Sequence, residues 1–134
     1  MNTLSKERIL ELALKAQKAA ENAYAPYSHF RVGAVAIDEQ GREFTGCNVE
    51  NAAYPAGLCG EDLAVAKAVS EGARKIPLVS VACIDAKTLD NCFPCGLSCQ
   101  RLSEFGVERV IVSIPNEDPK VYLFSELMPH QFCL

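Results

Sequence analysis

"FRVGAVAIDEQGREFTGCNVE", residues 30–50, holds two strand-like runs on either side of a turn. The first run, residues 30–37, is apolar almost without interruption. A strand facing water on one side would alternate, so this one belongs in the middle of a sheet. "DEQG" (38–41) follows, with Gly41 supplying the positive φ that such a turn commonly needs, and "REFTGCNVE" (42–50) is the return strand.

Working outward, residues 5–23 read as a helix. Ile9, Leu10, Ala13, Leu14 and Ala20 trace its apolar face, Ser5 is its N-cap, and "APYS" (25–28) ends it because Pro26 disfavours helix in the residue before it. Downstream, residues 59–71 predict a buried helix, since Leu63, Ala64, Ala66, Ala68 and Val69 leave it little polar surface, and Gly72 terminates it. "LVSVACI" (78–84) is a strand, 95–105 a short helix closed by Gly106, and "RVIVSI" (109–114) and "KVYLF" (120–124) two more strands. "SELMP" makes a last helical turn with Ser125 as its cap.

The order α-β-β-α-β-α-β-β-α contains two βαβ-like passages. It predicts an α/β fold with one mixed sheet and helices on its faces. The 134 residues suffice for one domain, 1–134. A formal net charge of -4 offers no basic track for a phosphate backbone, which argues against nucleic-acid partners. No apolar run approaches the ~20 residues of a membrane helix. "MNTLSKERILEL" lacks the charged-then-apolar pattern of a secretory signal, so the expected address is the cytoplasm.

In that reducing compartment, seven cysteines read as core fillers, metal ligands or nucleophiles before disulfides. Cys47, Cys83 and Cys133 sit in apolar or strand-like surroundings and read as core. Cys59 and Cys95 fall at helix N-termini, where the dipole and unpaired N–H groups favour a thiolate. Two such ends facing one another can present sulfur to a single cation, for which zinc is the natural choice. Glu61, beside the metal but not on it, can take a proton from water and return it to a leaving group.

"APYSHFRVGA" (25–34), "GCNVENAAYPAGLCGE" (46–61), "KAVSEG" (67–72), "PCG" (94–96) and "LSEFG" (102–106) closely resemble the small, homotetrameric, zinc-dependent cytidine deaminases, in order and spacing, over nearly the whole chain. The resemblance implies a three-layer α/β/α fold around a mixed five-stranded sheet. It implies hydrolysis of cytidine or deoxycytidine, or of a modified cytosine nucleoside, in pyrimidine salvage. In that reaction water activated by zinc attacks C4 while Glu61 moves protons. It further implies that Asn48 and Glu50 bind the ribose hydroxyls and that Phe30 lines the base pocket. Tyr54 is contributed across a subunit boundary, and Phe132 lies near a neighbouring subunit's site.

The chain departs from the family where it would hold metal. The family's Cys-Ala-Glu-Arg-Thr-Ala is here Cys59-Gly60-Glu61-Asp62-Leu63-Ala64, and its Pro-Cys-Gly-x-Cys-Arg-Gln is Pro94-Cys95-Gly96-Leu97-Ser98-Cys99-Gln100. Aligned without a gap, Ser98 takes the third ligand's place and Cys99 an arginine's. Ser98 and Cys99 stand at about -60° and +40° around the helix from Cys95, on one face. Cys99 is therefore able to stand in, and the expected ligands are Cys59, Cys95 and Cys99, with Asp62 and Ser98 as alternatives. Two arginines that would temper three thiolates are missing. The competing reading is accordingly a catalytically weak or inactive nucleoside-binding paralogue with an impaired metal site.

Overall fold

A computed structural model of the chain describes residues 3–134; Met1 and Asn2 lie outside the described residues. The elements run α1 (Lys6–Ala20), β1 (Val32–Ile37), β2 (Glu43–Cys47), α2 (Gly60–Ser70), β3 (Leu78–Cys83), α3 (Gly96–Glu104), β4 (Arg109–Ser113), β5 (Lys120–Leu123) and α4 (Phe124–Leu127). Short 3-10 turns at Tyr54–Ala56 and Leu89–Cys92 precede α2 and α3. Neither is signalled by an apolar period in the sequence.

The strands form one sheet in the order β2-β1-β3-β4-β5. β1 pairs antiparallel with β2 and β3, β3 parallel with β4, and β4 antiparallel with β5. Of the two expected βαβ passages, β3-α3-β4 joins neighbours. The passage β2-α2-β3 steps over β1, which lies between its strands. β1 is thus an interior strand, buried from Gly33 to Ile37 as its unbroken apolar run requires.

The sheet is the middle of three layers. On one face α1 packs Leu12, Ala13 and Ala16 against Val35, Ile37, Leu78, Ala82 and Ile111. On the other, α2 and α3 share a core with Ala34, Ala36, Val79, Val81, Val110 and Val112.

The buried stripe of α1 differs from the expected one: Leu12, Ala13, Ala16 and Ala20 face the sheet, whereas Leu10 and Leu14 are exposed. Gly33 explains the rotation. A Cβ there would lie 2.0 Å from Ala16 O and 2.4 Å from Ala20 N, so the alanine side of the helix rests on strand backbone. Larger side chains would hold it off. Ser5 is the N-cap, its hydroxyl accepting from Arg8 N at 3.0 Å. The helix stops at Ala20, before Pro26, because Tyr24 is drawn into a bridge with Val49. Its N–H donates to Asn48 O at 2.9 Å and its carbonyl accepts from Glu50 N at 2.8 Å.

In the β1–β2 turn Gly41 has φ of 83°. The buried Asp38 carboxylate accepts from Gln40 N, Arg42 N and Arg42 Nε at 3.0, 2.8 and 2.7 Å. α4 begins one residue before the expected cap: Phe124 is buried inside it, and Glu126 accepts from Leu123 N at 2.8 Å. Cys83 is buried as expected, whereas Cys133 is exposed near the chain end, where no element covers it.

Candidate active site

A cavity of about 450 Å³ opens where α2 and α3 begin. Its position follows from small residues. A Cβ on Gly46 of β2 would lie 2.5 Å from Ala64 N and 2.6 Å from Gly60 O, so the first turns of α2 press onto strand backbone. Gly60 is itself held against Val32, whose carbonyl oxygen would be 3.1 Å from an added Cβ. This brings the start of α2 down to the end of β1.

Cys59 is the N-cap residue of α2 and Cys95 that of α3, both with extended backbone. Neither thiol caps its helix; both line the cavity. Glu61, in the first turn of α2, is 5% exposed and reaches the same space. Burial raises its carboxyl pKa to about 7 against the pull of its own backbone N–H, and the neighbouring acid Asp62 adds to the rise. Burial likewise pushes the Cys59 thiol up to about 11. Ser98 opposes that by a hydrogen bond, while Glu61, Asp62 and Cys95 reinforce it.

The other end of the cavity holds Asn48, Glu50, Phe30 and Tyr54. Asn48 is fixed from both sides: its Oδ1 accepts from Val32 N at 2.8 Å, and its Nδ2 donates to Phe30 O at 2.8 Å. Each bond leaves a lone pair or a proton over. The Glu50 carboxylate accepts from Tyr27 N at 2.9 Å, from Ser28 N at 3.1 Å and from the Ser28 hydroxyl, which together hold its pKa below the ordinary range. Tyr54 is 76% exposed and meets Tyr27 edge to face at 6.1 Å.

The structure therefore gathers Glu61, Cys59, Cys95, Phe30, Asn48, Glu50 and Tyr54 around one cavity. It does not bring Cys99 or Phe132 there. The Cys99 thiol points into the core and donates to Pro94 O at 3.6 Å. Ser98 takes the cavity-facing place instead, 1% exposed. Phe132 is 68% exposed outside the cavity, and its carbonyl accepts from Gln100 Nε2. Asp62 faces away as well: its Oδ2 accepts from Arg101 Nη1 at 2.5 Å, and its Oδ1 is buried without a hydrogen-bond partner among the described residues.

Sequence reasoning missed four residues in or around the site. Cys83 and Cys92 line the floor, where a hydrogen bond to Cys92, with burial, keeps Cys83 protonated. Cys92 donates to Ser113 O at 3.5 Å. Ser28 organises Glu50 from the quoted "APYSHF" stretch. Arg101 neutralises Asp62, although no local spacing links positions 39 apart in sequence.

These residues do not make a complete metal site. Two thiols, the Ser98 hydroxyl and a buried acid line the cavity with no cationic side chain among them, and burial with the neighbouring acids disfavours the Cys59 thiolate. Among the described residues no three His, Cys, Asp or Glu side chains are grouped to hold a metal ion. The Cys59–Cys95 pair accordingly lacks a third donor of those kinds.

Residues 6–114 match the family described as "Cytidine and deoxycytidylate deaminase zinc-binding region". A cytidine deaminase of Sporosarcina psychrophila is 42% identical over 124 residues, covering 91% of this chain and 89% of the relative. One from Mycobacterium tuberculosis is 38% identical over 119 residues, covering 89% and 85%. Among solved structures, the cytidine deaminase from Burkholderia pseudomallei superposes with a TM-score of 0.82 at 34% identity, covering 92% of this chain and 98% of that one.

Proposed function

The chain belongs to the cytidine and deoxycytidylate deaminase family, and on that premise we propose that it hydrolyses cytidine and deoxycytidine to the uridine product and ammonia. The observation that carries the reading is Glu61, buried at one end of a cavity whose other end presents Asn48 and Glu50. A carboxyl pKa of about 7 lets one group serve as base and as acid at neutral pH.

Cys59 and Cys95 are the two thiols that the family's zinc would meet here, and the ion would supply Lewis acidity for activating water near neutral pH. The chain's own residues do the rest. Glu61 takes a proton from the attacking water and delivers it towards the amino group that leaves. The ribose hydroxyls bind the free Asn48 amide proton and the Glu50 carboxylate, which their backbone contacts hold ready. Phe30 closes one wall of the base pocket, and the apolar walls keep bulk water from the reacting carbon.

A homotetramer in the cytoplasm, serving pyrimidine salvage, completes the proposal. Tyr54 and Leu97, large exposed side chains lining the cavity, and Phe132, exposed outside it, support it as surface that a second chain would cover. No described helix is long and apolar enough to cross a membrane.

The test is conversion of cytidine by the zinc-loaded protein, followed by loss of cytidine absorbance and release of ammonia in equal amounts. Bound zinc with no turnover of either nucleoside defeats the assignment. Sedimentation at assay concentration tests the tetramer separately.

A further inference from the structure

The chain between α1 and β1 doubles back at residues 25–30. The His29 N–H donates to Ala25 O at 3.0 Å, and His29 itself is left-handed, with φ of 56°. A residue other than glycine holds that conformation only where the bonds around it require it. Here those bonds converge on one carboxylate. Glu50 Oε1 accepts from Tyr27 N at 2.9 Å and from Ser28 N at 3.1 Å, and its Oε2 accepts from the Ser28 hydroxyl. Beyond the left-handed residue, Phe30 N donates back to the same Ser28 Oγ at 3.1 Å. With an N–H on its lone pair, the hydroxyl keeps its own proton aimed at Glu50.

Glu50 is left with little acceptor capacity. An ionised carboxylate accepts about four hydrogen bonds, roughly two at each oxygen. Oε1 is filled and Oε2 half filled, so a single acceptor position is open. Asn48 is in the matching state as a donor: its Nδ2 gives one proton to Phe30 O at 2.8 Å and keeps the other. Phe30 is thereby held through its N–H by Ser28 and through its carbonyl by Asn48. The two sugar-facing side chains and the base wall form one hydrogen-bonded unit, in which Ser28 is the link to Glu50.

Resting on the deaminase reading, we infer that Ser28 is a positioning residue for the sugar, setting Glu50 so that its one open acceptor, on Oε2, takes a single sugar hydroxyl. That hydroxyl both donates and accepts, so it satisfies Glu50 and the spare Asn48 proton together. A second hydroxyl finds no acceptor left on Glu50. The Ser28 hydroxyl also leads the contacts that keep Glu50 ionised, and an ionised carboxylate selects for a donor.

The experiment measures equilibrium binding of uridine, 2′-deoxyuridine and 3′-deoxyuridine to the wild type, Ser28→Ala and Ser28→Thr, with cytidine turnover recorded alongside. Product nucleosides report the sugar contacts without a reaction. One deoxy compound is expected to bind the wild type ~10-fold more weakly than uridine, and the other within about 3-fold. Ser28→Ala weakens uridine binding by ~10-fold, the low end for a bond to a charged group because Ser28 is exposed. The matching loss in cytidine turnover falls on KM. The same variant binds the weaker deoxy compound as the wild type does, since the hydroxyl through which Ser28 acts is missing. Ser28→Thr retains the donor and returns uridine binding to within about 3-fold of wild type. An equal loss for all three nucleosides that threonine does not rescue makes Ser28 a loop-folding residue and overturns the inference. Undiminished uridine binding by Ser28→Ala overturns it too. The full pattern in a protein that turns over no cytidine supports the Ser28 assignment and defeats the deaminase reading alone. A folded wild type that binds none of the three defeats both.

Discussion

Two buried carboxylates stand at opposite ends of β1, and their surroundings could hardly differ more. Asp38, just past Ile37, collects three N–H donors from Gln40 and Arg42; burial opposes its charge, but those bonds hold its pKa below the ordinary range. Glu61, at the end where Val32 meets Gly60, has its own backbone N–H and an acid for a neighbour, and its pKa rises to about 7. Both side chains are shielded from solvent, but Glu61 sits deeper in the protein, and depth and partners act together. A carboxylate supplied with donors organises a turn and stays ionised, whereas one denied them remains able to exchange a proton.

The largest expected effect breaks the comparison at its reactive end. Glu61→Gln keeps the shape and removes the exchangeable proton, so kcat should fall by roughly 10²–10⁴. The melting temperature should not fall, since the variant no longer buries an ionisable group short of donors. A retained kcat, measured by cytidine absorbance, would place the proton transfer on another group.

Next is the contact that sets Glu61 in position. Gly46→Ala forces a methyl against Ala64 N and Gly60 O, both backbone, and α2 must shift. The expected cost is about 1–3 kcal/mol in denaturant unfolding, with kcat lowered as well because Glu61 rides on the displaced turn. Full activity in folded protein would show that α2 needs no such contact.

At the other end, Asp38→Asn loses the ionic bond to Arg42 and should cost about 1–2 kcal/mol at neutral pH, with kcat unchanged. The sign with pH is fixed. Because the folded carboxyl titrates below its unfolded value, its contribution is present above about pH 4 and fades as pH falls through the lowered value. Wild type and Asp38→Asn should therefore converge in melting temperature towards pH 3. Curves that stay parallel would remove the charge from the explanation.

Much of this was legible in the sequence. The unbroken run at 30–37 belongs to an interior strand, Ser5 caps α1, and Cys59 and Cys95 sit at two helix starts. Each of these depends on a local period or a capping preference. What was not legible depends on contacts between distant residues. The rotation of α1 is settled by Gly33, and the early end of that helix by Tyr24 pairing with Val49. Ser98 and Cys99 differ by one helical step, and packing on the core side draws the thiol inward. No spacing rule separates two residues that share a helix face. The Asp62–Arg101 pair is likewise invisible until α2 and α3 lie side by side.

The glycine at 46 has a mechanical consequence. Where β2 meets α2, the separation is set by the radii of backbone atoms in touch, with no side chain between them to compress or change rotamer. That contact is a hard stop, against which the catalytic turn is registered. Repacking the hydrophobic layers elsewhere can soften the domain without moving this datum. Core substitutions should then lower the melting temperature in steps while the turnover of the molecules still folded stays level, so that resistance to heat and speed of reaction are adjustable one without the other.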